Sequence, residues 1–457
     1  MSEITAQASL LAKMLDEPIL ATHHTHEELT DYLLDRVPPF RLPDTDSWEE
    51  EAERLRQRVL DEVIFRGIPS EWRQRNPEVV WGDVIDTGKG YRIRKLRYPA
   101  LPGLWIPALL YEPEELKDKT PAVLNVIGHV GPPGKAIEYQ QIRCINLAKR
   151  GVLALNLEWL WYGELQGSGY SHNQSGHLDI CGAAGIGIFY LAMQRGLDVL
   201  MDHEYTDTDR IAVTGLSGGG WQTIILSSLD TRVKLAVPNA GYIGLDSRVK
   251  NRGDIGDIEQ NPTDLATIAD YPTLTAMLAP RPALLLYNDQ DDCCFKTERA
   301  YPSVYEPVKP LYEAMGIAES FQFHNNTDPG THNYDLDHRQ HFYRFINKHF
   351  LADTSTIDDE IPSDDEVMTE QDLTVGLPPG NEDFHTLAGR LHASLPETTI
   401  PKGGRDDIVR WQETGCEQLR AILRYEDYEV TGVEPAGDRS EGGYLIRRHT
   451  LHLGETW

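Results

Sequence analysis

Between residues 121 and 350 the chain alternates short apolar runs with helical stretches. The runs are PAVLNVIG, VLALNLE, RIAVTG, VKLAVPNA, PALLLYND and SFQFHN, and the helical stretches are 137–150, 177–203, 218–229, 297–315 and 337–350. Continuous apolar runs suit strands buried on both faces, so this alternation predicts an α/β fold with a mostly parallel sheet flanked by helices. Ahead of it, VVWGDVID, YRIRKLRY and LWIPALLYEP alternate or run apolar between Gly and Pro, as antiparallel edge strands do. Earlier still, WEEEAERLRQRVLDEVIF within 48–66 has apolar positions at helical spacing among charges.

The same texture divides the chain. Residues 1–78 read as an N-terminal helical segment and 79–351 as the α/β domain, with 241–280 a lid-like insertion between two strands. Residues 352–406 are acidic and turn-rich, an expected linker with one strand at DLTVGL. In 407–457 a helix near 407–424 precedes EVTGV and YLIRRHTLHLGETW, so that Tyr444, Ile446, Arg447 and Arg448 fall opposite Tyr91, Ile93, Arg94 and Lys95. This predicts a partial repeat of the module's entry, a helix plus strands.

Charge narrows the partners. The 457 residues include 72 Asp plus Glu against 43 Lys plus Arg, a formal charge of −29. Such an excess opposes binding to nucleic acid or anionic membrane through phosphate neutralisation. The N-terminus has no basic stretch followed by an apolar one, and no apolar run reaches membrane-spanning length, so a cytoplasmic protein is expected. The adjacent Cys293 and Cys294 and the scattered Cys144, Cys181 and Cys416 form neither a disulfide framework nor a spaced zinc site.

The chemistry centres on VTGLSGGGW at 213–221. Gly215, Ser217 and Gly219 fit the nucleophile-elbow pattern G-x-S-x-G between a predicted strand and a predicted helix. A serine hydroxyl is a weak nucleophile until a base takes its proton, so a histidine and an orienting acid must follow. His332, after a Pro-Gly turn beyond the last predicted strand, is the expected base. Asp289, Asp291 and Asp292 compete for the acid; the D-x-D-D spacing is similar to that of serine hydrolases in which the first Asp of the doublet orients the histidine, which favours Asp291. The oxyanion needs two backbone N–H donors, assigned to Gly218 and to Val130 in the loop GHVGPPGK, with His129 as alternative. Trp159, Trp161 and Tyr162 follow a strand end and join His129 as candidate pocket residues, where aromatic faces stack on sugar rings or pack in the core.

VIGHVGPPGK, YQQIRCINLAKRGVLALNLEWLWYGE, RGLDVL, DTDRIAVTGLSGGGWQT, APRPALLLYNDQDDC and DPGTHNYD together resemble bacterial acetyl xylan esterase-like proteins of the alpha/beta-hydrolase fold, neighbours of cephalosporin deacetylases and dienelactone hydrolases. The resemblance covers about residues 80–350. It implies an eight-stranded sheet, a triad of Ser217, Asp291 and His332, and ester hydrolysis with no metal or organic cofactor. It implies too that Arg195 and Asp198 in RGLDVL are a structural pair. Dienelactone hydrolases use a cysteine where this chain has Ser217, and many xylan-active relatives are exported. The expected activity is a serine carboxylic ester hydrolase acting on small acyl esters, sugar esters among them. A prolyl oligopeptidase-like peptidase and a non-catalytic scaffold of the same fold are the rivals; neither a propeller-like repeat nor a loss of triad order is present to favour them. Oligomeric state is not legible.

Overall fold

Each predicted run becomes a strand of one nine-stranded sheet: β1 (Val80–Asp86), β2 (Tyr91–Leu101), β3 (Leu104–Pro113), β4 (Thr120–Asn125), β5 (Leu153–Leu157), β6 (Thr206–Leu216), β7 (Leu235–Asn239), β8 (Ala283–Asn288) and β9 (Phe321–Asn326). Their spatial order is β1-β2-β3-β5-β4-β6-β7-β8-β9. The six strands from β5 to β9 run parallel, while β1, β2 and β3 join them as an antiparallel edge. The fold class is the expected alpha/beta-hydrolase type, with one strand more than the eight implied. The computed structural model describes residues 3–16, 18–116, 119–352, 357–455 and 457.

The parallel strands β4, β5, β7 and β8 are buried along their whole length, which is why their sequences are continuous rather than alternating. The connection leaving β4 runs to β5 on one side and that leaving its neighbour β6 runs to β7 on the other, and at this reversal a crevice opens at the carboxyl ends of the strands. The loop after β4 and the turn after β6 both arise there.

Three expectations about helices and tail need correction. The stretch 177–203 is two helices, Gly176–Ile180 and Ile186–Asp202, parted where Gly182 takes a φ of 86°. The stretch 297–315 breaks into Thr297–Ala300, a π-turn at Tyr301–Tyr305 and Lys309–Ala314, because Pro302, Pro307 and Pro310 supply no N–H to a continuous helix. The segment read as a linker is in large part a strap within the main unit, which spans Val37–Leu395. Leu373, Phe384, Leu387 and Leu391 enter the core, and the backbone N–H groups of Ile361 and Met368 donate to the side chains of Asn146 and Gln141 at 2.8 and 2.9 Å. No strand forms at DLTVGL: Glu370–Leu373 is a helical turn, and the N–H groups of Val375 and Gly376 donate to the Glu164 carboxylate instead.

A second unit comprises Met1–Arg36 and Pro396–Trp457. It contains the helices His24–Leu34 and Arg405–Leu423 and an antiparallel hairpin of β10 (Val430–Glu441) and β11 (Tyr444–Leu453). Tyr444 opens β11 as Tyr91 opens β2. Among the described residues no helix is long and apolar enough to cross a membrane.

Candidate active site

Ser217 sits between the end of β6 and the helix Gly218–Leu229, at φ 61° and ψ −121°. Non-glycine residues hold such angles only where their surroundings enforce them. Here the Ser217 N–H donates to Asn239 O of β7 at 2.9 Å. The flanking glycines make the turn sterically feasible: a Cβ on Gly215 would lie 2.3 Å from Val126 O, and one on Gly219 2.5 Å from the same oxygen. The elbow is therefore wedged against the end of β4. The first N–H groups of the following helix lack intrahelical acceptors and carry its positive dipole end.

His332 and Asp291 reach the site from the turns after β9 and β8. Asp291 is buried, and its Oδ2 lies 2.7 Å from His332 Nδ1. Its other oxygen accepts from the N–H groups of Cys293 and Phe295 at 3.0 and 3.3 Å. Burial alone would raise the Asp291 carboxyl; His332 and those two donors outweigh it and hold the group below its usual range. Burial would depress the His332 imidazole, and the Asp291 carboxylate outweighs that and raises it. The outer nitrogen, Nε2, is buried and has no hydrogen-bond partner among the described residues. Asp292 accepts from the His332 backbone N–H at 2.9 Å, and Asp289 accepts from Gln290 at 2.7 Å. Of the three candidate acids, Asp291 alone meets the imidazole ring. Arg195 pairs with Asp198 at 2.8 Å, buried and away from these residues.

A cavity of about 510 Å³ receives Ser217 and His332 together with Gly128, His129 and Val130 from the loop after β4. Trp161 and Tyr162 line it as well, and the insertion contributes Asp257 and Gln260. Trp159 does not line it; its indole packs behind the wall, where a Cβ on Gly218 would meet it at 2.4 Å. Cys293 also faces the cavity, exposed, with its sulfur 3.2 Å from that of Cys294. Val130 lines the cavity with Ser217, and Gly218 follows Ser217 as the first residue of the next helix.

One cluster was not foreseen. His129, His172 and Glu259 converge beside the cavity, His129 Nε2 lying 3.1 Å from Glu259 Oε1 and His172 Nδ1 3.1 Å from Glu259 Oε2. Burial pushes the Glu259 carboxyl up, but the adjacent imidazoles hold it down at about 2. His172 lies in a short helical turn, His172–Ser175, within a Gly- and Ser-rich stretch that has no periodicity, and Glu259 lies in a similar turn of the insertion. Three residues brought together from separate loops leave no spacing signal in a sequence.

Comparison with known proteins supports the likeness read in the motifs. The acetyl xylan esterase family (AXE1) matches residues 71–257. A 4-O-methyl-glucuronoyl methylesterase of Wolfiporia cocos is 28% identical over 150 residues, a stretch covering 28% of this chain and 36% of that protein. The match thus spans little more than a third of that relative's length. Among solved structures, Methylesterase BT1017 superposes with a TM-score of 0.55 at 20% identity, covering 88% of this chain and 81% of its own. A Bacteroides fragilis protein named as an acetyl xylan esterase gives 0.54 at 19% identity, over 70% and 85% of the two chains. These structural likenesses establish the fold.

Proposed function

We propose that this protein is a serine carboxylic ester hydrolase that cleaves small, acetyl-type acyl esters of sugars through an acyl-enzyme. The observation that carries the reading is a single cavity holding Ser217 on its strained elbow and His332, whose inner nitrogen is engaged by a buried Asp291. In this mechanism His332 Nε2 takes the Ser217 hydroxyl proton as Oγ attacks the ester carbonyl. The backbone N–H groups of Gly218 and Val130 receive the oxyanion, aided by the dipole of the Gly218–Leu229 helix. Collapse of the tetrahedral intermediate expels the alcohol, which takes the proton from His332. A water activated by the same imidazole then hydrolyses the acyl-enzyme. Asp291 keeps Nδ1 protonated and stabilises the imidazolium.

The family match over residues 71–257 supports ester hydrolysis, and the polar insertion with Asp257 at the cavity supports a hydrophilic alcohol over a lipid. All strands among the described residues belong to the central sheet or the β10–β11 hairpin, which leaves no propeller for a peptidase of the prolyl oligopeptidase type. The name of one relative points to methyl esters of glucuronic acid, and that of a second to methyl esters, as the competing substrate class. The test is a panel of acetyl, propionyl and octanoyl aryl esters, acetylated xylo-oligosaccharides, methyl uronates and prolyl peptides. Acetyl or propionyl esters should give the highest kcat/KM, with a steep fall by octanoyl and no peptide cleavage. Fastest turnover on methyl uronates would move the assignment to that class, and fastest turnover on octanoyl esters would make it lipase-like.

A further inference from the structure

We propose that His129, His172 and Glu259, with Asp257 as fourth donor, form a site for one divalent transition-metal ion of the Zn²⁺ type, which ties the insertion to the loop after β4. Four distances and one irregularity point to it. His129 Nε2 lies 3.4 Å from His172 Nδ1, each of these nitrogens is 3.1 Å from a Glu259 oxygen, and Asp257 Oδ2 is 3.3 Å from His129 Nε2. Four donors placed about 2.0–2.1 Å from a tetrahedral Zn²⁺ stand about 3.3 Å from one another, since the edge of a tetrahedron is about 1.6 times its centre-to-corner length. His129 Nε2, His172 Nδ1 and the Glu259 carboxylate, whose two oxygens each face one of the rings, therefore lie close enough together to share one ion, with Asp257 beside His129.

The irregularity is Glu259. Its side chain is fully buried, and each carboxylate oxygen faces an imidazole nitrogen at 3.1 Å without the alignment of a directed hydrogen bond. A buried, ionised carboxylate without a directed partner is among the costliest arrangements in a folded chain. The ring nitrogens face each other instead, and that contact holds one proton at most. An ion at the centre of the cluster satisfies all of them.

His172 is also oriented as a ligand is. Its Nε2 donates to Leu160 O at 2.9 Å, which fixes the tautomer and leaves the Nδ1 lone pair directed into the cluster. Charge agrees: two neutral imidazoles and two carboxylates sum to −2, the complement of a divalent cation. Mixed imidazole and carboxylate donors suit Zn²⁺ rather than Mg²⁺ or Ca²⁺, which take all-oxygen shells. The site does not depend on Ser217 being a nucleophile.

The experiment uses the full chain, stripped with a chelator and then titrated with Zn²⁺ by calorimetry, with metal content measured after gel filtration. The expected result is one tightly held equivalent, a thermal midpoint that rises with Zn²⁺, and, on Co²⁺ substitution, the intense visible absorption of a tetrahedral ion. Glu259→Gln and His172→Asn should each weaken uptake by more than the roughly 10–100-fold typical of losing an outer partner. The Co²⁺ spectrum of the unaltered chain keeps the test decisive if either variant fails to fold. No uptake by the stripped protein would mean that protons balance the cluster, and would overturn the proposal. So would a weak octahedral Co²⁺ spectrum, or undiminished uptake in folded variants, which would assign the ion to other groups such as His23, His24 and His26 on the surface.

Discussion

His332 contacts two neighbouring carboxylates in different ways: its ring Nδ1 lies 2.7 Å from Asp291 Oδ2, while its backbone N–H donates to Asp292 Oδ1 at 2.9 Å. One acid orients the imidazole and the other holds the loop that carries it. Asp291→Asn should therefore lower kcat by about 10⁴-fold. Asp292→Asn removes one charge-assisted contact to a backbone donor and should cost on the order of tenfold. Rates on an aryl acetate decide between them, and a reversed order would transfer the orienting role to Asp292.

Loss of the nucleophile or base should be more severe. Ser217→Ala and His332→Ala should each reduce kcat by up to about 10⁶-fold, because the three groups act as a unit. Circular dichroism of the variants separates this from misfolding. A Ser217→Ala protein that keeps a tenth of wild-type activity would remove Ser217 from the mechanism.

The pH profile follows from the direction of the His332 shift. The base works neutral, and the Asp291 carboxylate raises its pKa despite burial. The acid limb of kcat/KM should thus have its midpoint above the ordinary histidine value of about 6.5. In Asp291→Asn the largest raising influence is gone and only Cys293 and Asp292 remain against burial, so the midpoint should move to lower pH. A limb unchanged by that substitution would mean that another group titrates.

The elbow makes a steric prediction. Gly215→Ala places a Cβ 2.3 Å from Val126 O, a backbone atom that cannot swing aside, and should cost about 1–3 kcal/mol along with activity. Gly131→Ala, at φ 76° with open space around its Cβ, should cost only about 1–2 kcal/mol of backbone strain. Denaturant titrations of both, paired with aryl acetate rates, check this. Full activity in Gly215→Ala would show that the turn is not tightly wedged.

The strap predicts where the chain tolerates truncation. Leu373, Phe384, Leu387 and Leu391 are buried, and at about 1.5–3 kcal/mol each their loss approaches the whole stability of a typical domain. A chain of residues 37–395 should fold and keep its esterase activity, whereas one of residues 37–351 should be unfolded or aggregated. Thermal melts and rates on both lengths provide the check.

Which parts could be read in advance follows from how local each signal is. The strands of the sheet are local: apolar runs such as LALNL and ALLLYN declare themselves, and the elbow glycines sit beside the serine that needs them. The strap was hidden because its acidic composition describes its outer surface. What seats it is a few apolar residues, with Asn146 and Gln141 accepting its backbone N–H groups from a helix far away in sequence. Glu259 was hidden for the opposite reason: a carboxylate in a polar insertion reads as a solvated charge, and only its burial against His129 and His172 distinguishes it.

The Glu164 carboxylate joins the buried Lys135, in the loop after β4, to the backbone N–H groups of Val375 and Gly376, which follow it by 211 and 212 residues. A growing chain that has already made Ser217, Asp291 and His332 still lacks this clasp. This support of the loop assigned to the oxyanion therefore arrives only with the strap, later along the chain than Ser217, Asp291 and His332.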